Sequence, residues 1–121
     1  MQILVVDDEI HIRQLIGEVL RRNNYQVDKA GNGKEALELF RKRHHDVVIT
    51  DIRMPEMDGL QLLNYLRSEP ITRKIGFILI TGQPEQQIID QGVSLGMNNY
   101  LPKPFKPIEL RKCIEAVVGR L

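Results

Sequence analysis

The sequence predicts a doubly wound α/β sandwich: five parallel strands in the order 2-1-3-4-5, with helices on both faces. Three observations predict it. Residues 3–6, 47–50 and 77–80 are uninterrupted apolar runs, the pattern of parallel strands buried on both sides. Residues 25–30 alternate and the strand signal at 99–101 is short, which marks edge strands. Helical patterns separate every pair of strands, so all the connections are crossovers, and a mostly parallel three-layer (βα)5 sandwich follows. With strands one, three and four central and two and five outside, one common doubly wound order fits.

Each element has its own signal. After the first strand, Ile12, Leu15, Ile16, Val19 and Leu20 share one helical face. After the second, Asn32 with Glu35 three residues on resembles a capping box, and after the third Asp58 with Gln61 does so more loosely. Pro84 and Pro107 suit the first turns of the fourth and fifth helices. Leu110, Ile114, Val117, Val118 and Leu121 form the stripe of the last helix. No internal repeat, low-complexity tract or linker interrupts the pattern. The sequence reads as one domain over 1–121, without an output domain and without a DNA-binding segment.

Composition narrows the function classes. The 121 residues are 42% hydrophobic and 27% charged, ordinary for one globular domain with a core of its own. The single Cys113 rules out an intrachain disulfide and suits a reducing compartment; as a packing residue it is expected to be partly buried. Net charge is +1, so no global field favours nucleic acid or an anionic membrane. The basic "RKRHH" at 41–45 reads as a solvated C-terminal helix turn, where cations complement the dipole. His11, His44 and His45 all read as surface residues with no metal cluster. No apolar run approaches the length of a membrane span. A cytoplasmic location is expected.

The chemistry is expected at the carboxyl ends of the strands, beside the switch point between strands one and three. Asp7 and Asp8 follow strand one, Asp51 strand three, Thr81 strand four and Lys103 strand five. Taken singly, the acids could cap a helix, the threonine could be a loop hydroxyl and the lysine a solvated one. Together they form a candidate site. Two like charges about 4 Å apart at an effective dielectric near 20 repel by roughly 4 kcal/mol. Three carboxylates must therefore shift one another's pKa or recruit a cation, and hard oxygen donors favour Mg2+. With that ion bound, the site attracts a phosphoryl group and a carboxylate can act as its nucleophile.

The motifs "VVDDE", "VVITDIRMPEMDG", "FILITG" and "YLPKPF" make the chain resemble the receiver domain of bacterial two-component response regulators, over essentially its whole length. The resemblance implies a flavodoxin-like receiver fold and a phospho-aspartate switch. Asp51 would be the phospho-acceptor. Asp8 would ligate Mg2+ directly, Asp7 mainly through water, and the backbone carbonyl of Arg53 would add a ligand. Thr81 and Lys103 would contact the phosphoryl group, a cis Lys103-Pro104 bond would aim the lysine, and Tyr100 would report phosphorylation. The donor would be a sensor histidine kinase or a histidine phosphotransfer protein, and the receiver of the signal a downstream protein or a separate output domain. The chain would catalyse its own phosphorylation and dephosphorylation without being a turnover enzyme.

Departures from the family pattern matter. Gly82 follows Thr81 where alanine is commoner. "GMNNY" replaces the more usual acidic pair before the tyrosine. Lys106 stands where a short capping residue is often found, so the fifth helix is expected to start less firmly. Arg53 and Gln83 occupy two variable positions that overlook the phosphoryl group in this family, and Arg53 is a candidate to tune its lifetime. Ile10 and Ile108 point away from the apolar stripes of their helices, near strand ends that feed the acidic pocket. They are candidates for an apolar docking surface for the donor.

Three competitors belong to other classes. "GNGKEA" at 31–36 fits the dinucleotide fingerprint G-x-G-x-x-A, and Asp51 lies twenty residues (51 − 31) beyond Gly31. Against it, strand two reads as an edge, and Asp7, Thr81 and Lys103 would go unexplained. An aspartyl phosphatase wants a D-x-D pair that neither "DDE" nor "DIR" provides. A receiver-like interaction module that is never phosphorylated remains the alternative.

Overall fold

A computed structural model describes residues 1–82 and 86–121. The chain alternates β1 (Gln2–Val6), α1 (Ile10–Arg22), β2 (Gln26–Ala30), α2 (Gly33–Lys42), β3 (Val47–Asp51), α3 (Gly59–Ser68), β4 (Gly76–Thr81), α4 (Gln86–Leu95), β5 (Asn99–Pro102) and α5 (Pro107–Val118). All strand pairs are parallel, in the order β2-β1-β3-β4-β5. The central strands are buried along nearly their whole length, whereas β2 is mostly half-exposed. That is the contrast between the continuous and the alternating runs.

Because side chains alternate across a strand, the sheet feeds two cores. Ile3, Val5, Ile49, Ile78 and Ile80 face α1 and α5, while Leu4, Val48, Phe77 and Leu79 face the opposite layer, where α2, α3 and α4 pack. Registers then align the strand ends. Val6 pairs with Thr50, Asp51 with Ile80 and Thr81 with Pro102, so the residues following β1, β3, β4 and β5 emerge along one edge.

Several local expectations are revised. Leu15 and Leu121 are exposed and do not belong to the stripes assigned to them; Leu15 lies at the margin of the α1 face, and Leu121 lies beyond the end of α5. Asp58 and Gln61 form a complete capping box, at 2.8 and 2.9 Å. Asn32 caps the amide of Glu35 at 2.9 Å, but the Glu35 carboxylate returns to the amide of Gly31, one residue further back. Glu109 reaches the amide of Lys106 at 2.8 Å. Lysine has no acceptor with which to reciprocate, so the fifth helix starts on half a box. Pro107 does occupy its first turn; Pro84 lies outside the described residues.

His45 is the largest correction. It is fully buried, its Nε2 lies 2.8 Å from Asp28 Oδ2, and its ring meets the Phe40 ring edge-on at 5.3 Å. Helix α2 ends at Lys42, so the chain turns inward before β3 and takes His45 with it. His44 stays exposed, 3.1 Å from Asp46.

Candidate functional site

Asp7 leaves β1 with its amide on the carbonyl of Ala30 at 3.1 Å, and only 1% of its surface is exposed. Its Oδ1 accepts the amide of Glu9 at 2.9 Å, and Oδ2 faces Lys103 Nζ at 3.3 Å. The Arg13 guanidinium donates to the Asp7 carbonyl at 2.8 Å and braces the turn from α1. Asp8 is exposed. The capping position of α1 belongs to Glu9, which makes no side-chain cap bond. Neither acid is therefore a helix cap.

Asp51 closes β3, buried, with Lys103 Nζ 3.5 Å from its Oδ2. The following turn is held by the amide of Gly59 on the carbonyl of Ile52 at 2.8 Å. The approach is so close that a Cβ on Gly59 would lie 2.7 Å from the carbonyl oxygen of Asp51 and 3.0 Å from Ile52 Cα. Thr81 ends β4, almost fully buried, and the amide of Lys103 donates to its carbonyl at 2.8 Å. The Lys103-Pro104 peptide is cis.

Carboxylate oxygens of Asp7, Asp8 and Asp51 lie within 4.8 Å of one another. Among the described residues this is the one group of acidic, His or Cys side chains close enough to share an ion. Burial pushes the Asp51 carboxyl above the ordinary carboxylate range; Lys103 pulls it down and Asp7 pushes it up again. One ammonium between two carboxylates leaves the cluster short of positive charge. An all-oxygen donor set open to water on the Asp8 side fits Mg2+, a hard ion that retains several waters.

Arg53 is exposed and, with Asp8, lines a cleft of about 620 Å³ beside the acids. Gln83 lies outside the described residues. Tyr100 is half-buried on β5 against the core of the α2–α4 layer. Ile10 and Ile108 are both exposed, as their positions off the stripes required. Two observations count against the dinucleotide alternative: β2 is an edge strand, and the N-terminus of α2, where a pyrophosphate would sit, is already capped by Asn32 on the amide of Glu35. Arg13 and Gly59 escaped the sequence reading. Nothing links Arg13 to Asp7 before α1 folds, although Gly59 closes the quoted "MPEMDG" and was visible there.

Fold, strand order and the position of the acidic cluster define a flavodoxin-like receiver fold. The chain belongs to the response regulator receiver domain family, whose family model matches residues 3–115. It is 35% identical to the Rhizobium etli protein named "Probable chemotaxis protein CheY", over 100% of this chain and 95% of that one. It is also 35% identical to the transcriptional regulatory protein ResD of Bacillus subtilis, over 98% of this chain but 48% of ResD, so it spans about half of that relative. Among solved structures, the receiver domain of a sensor histidine kinase from Pseudomonas aeruginosa matches with a TM-score of 0.87 at 29% identity, covering 98% of this chain and 97% of that one. That structure has a magnesium ion coordinated in its active site cleft. No helix among the described residues is long and apolar enough to cross a membrane.

Proposed function

We propose that the chain is a phospho-aspartate signalling switch that takes a phosphoryl group from a partner phospho-histidine onto Asp51, with Mg2+ as cofactor. The observation that carries this reading is the placement of Lys103 Nζ, 3.3 Å from Asp7 and 3.5 Å from Asp51, on a backbone tied to Thr81. A carboxylate nucleophile, a hydroxyl and an ammonium thus share one strand-end pocket, next to carboxylates able to hold a cation.

In the forward step an Asp51 oxygen attacks phosphorus, the phosphorus–nitrogen bond of the donor breaks, and an acyl phosphate forms. Asp8, Asp51 and the Arg53 carbonyl would hold Mg2+, with Asp7 reaching it mainly through water, and the ion would supply charge neutralisation for the transferring group. Lys103 neutralises one phosphoryl oxygen and the Thr81 hydroxyl donates to another. Burial of Asp51 and Asp7 limits access of water to the acyl phosphate, and hydrolysis later returns the phosphate and restores Asp51. The new charge draws Thr81 and Lys103 towards it, and Tyr100 on β5 transmits the change by shifting an existing two-state equilibrium. Ile10 and Ile108 serve as the donor's docking surface, and Arg53 partly shields the acyl phosphate. The chain works in the cytoplasm, a sensor histidine kinase or histidine phosphotransfer protein is the donor, and the output runs through another protein or domain.

Intact-mass spectrometry after incubation with a small phosphodonor tests the reading. A gain of one phosphoryl group that requires Mg2+ and disappears in Asp51→Asn is expected. No gain from folded protein would replace this reading with the phosphorylation-independent interaction module. Ile10→Glu should slow transfer from the cognate donor and spare the small donor, while Arg53→Ala should change the dephosphorylation rate.

A further inference from the structure

The net charge of +1 conceals an uneven distribution. A cleft of about 750 Å³ lies between the end of α2 and the loop after α3. Its walls are apolar, from Leu37, Phe40, Tyr65, Pro70 and Ile71, and its rim is cationic, from Arg41, Lys42 and Arg43 against Glu69 alone. Ile71 is 86% exposed. Beyond Ile71 and His44, which line both, a second cleft of about 560 Å³ adds Arg67, Arg73, Lys74 and Arg120 against Asp46 alone.

Some of this charge is already committed. Arg67 holds the carbonyls of Gly96 and Ile75, and Arg43 leans on Asp28 at 3.5 Å. Asp46 binds the amide of Gln2 and faces His44. Arg41, Lys42, Arg73 and Lys74 make no ion pair among the described residues. The apolar wall is held from behind, because Phe40 stands edge-on against His45 and Asp28 anchors His45. A preformed apolar hollow with the unpaired Arg41 and Lys42 on its rim, and Arg73 and Lys74 in the cleft that adjoins it at Ile71, complements a ligand that is anionic and carries a bulky apolar group. The concavity favours an inserted side chain over a flat surface.

We propose that this cleft docks an acidic peptide segment of a partner protein, with an aromatic or aliphatic anchor beside Phe40 and Tyr65, one carboxylate against Arg41 and Lys42 at its rim and a further one against Arg73 and Lys74 in the adjoining cleft. The cleft lies at the amino ends of β3 and β4, whereas Asp51 and Thr81 lie at their carboxyl ends. Docking and phosphoryl transfer can therefore occur together.

A random peptide display library, selected on the full chain and counter-selected on Arg41→Glu/Lys42→Glu, tests the proposal. Enriched peptides should combine Asp or Glu with Phe, Trp or Leu. They should bind the double variant and Ile71→Glu at least about tenfold more weakly, a loss of about 1.4 kcal/mol. Circular dichroism melting and labelling by a small phosphodonor should be unchanged in both variants. No enrichment, enriched peptides lacking acidic residues, or equal affinity for the variants would overturn the proposal. So would flotation with phosphatidylserine–phosphatidylcholine vesicles that the same substitutions abolish, without peptide enrichment; that outcome would assign the patch to a membrane surface.

Discussion

The amide of Lys103 donates to the carbonyl of Thr81 across 2.8 Å. Twenty-two positions apart (103 − 81), the hydroxyl-bearing and ammonium-bearing residues of the site thus sit on one continuous piece of hydrogen-bonded backbone, with Lys103 Nζ reaching Asp7 and Asp51.

Asp51 gives a pH-dependent prediction. Burial raises its pKa in the folded state, so the fold prefers the protonated acid. That contribution is fully present below the unfolded value, near 3.9, and is lost as pH rises through the folded value; at neutral pH the ionised carboxylate is a cost. Without Mg2+, Asp51→Asn should therefore raise the melting temperature at pH 7. Thermal scans in EDTA across pH should show the advantage shrinking towards acid. An equal advantage at every pH would contradict this assignment.

Ion binding should reverse that balance for the wild type. An ion at ten times its dissociation constant adds about 1.4 kcal/mol to the folded state. Titrating MgCl2 in a melting assay should stabilise the wild type, and Asp8→Asn and Asp51→Asn should respond much less. A sodium chloride titration at matched ionic strength separates site binding from general screening.

Gly59 should tolerate no side chain. A Cβ there would press on the backbone of Asp51 and Ile52, which cannot swing aside as a flexible side chain would. Gly59→Ala should cost about 1–3 kcal/mol, measured by urea denaturation, and should slow labelling of Asp51 by shifting the strand end. A neutral substitution would show that the turn relaxes freely.

Cys113 should be inert in the native protein. It is buried, and burial pushes its thiol pKa up to about 11, so the reactive thiolate is scarce at pH 8. A colourimetric thiol reagent should label it only after denaturant is added. Rapid native labelling would mean that α5 opens locally.

The sequence by itself determined the layers, the strand order and the placement of Asp7, Asp8, Asp51, Thr81 and Lys103. Parallel strands advertise burial through continuous apolar runs, and their carboxyl ends can be read directly from where those runs stop. It also exposed Ile10 and Ile108 correctly, because a residue opposite a strong stripe has no core to enter. Tertiary structure decided what depends on long-range neighbours. His45 is buried because Asp28 on β2, seventeen positions away, offers it a partner; no local pattern distinguishes it from exposed His44. Glu35 chose the amide of Gly31, and Leu15 fell to solvent, because the fit of each helix on the sheet sets which edge of a stripe is covered. The cationic cleft around Ile71 was equally hidden. Its charges come from α2, α3 and the loop after it, and the end of the chain, and only folding brings segments so far apart in sequence to one surface.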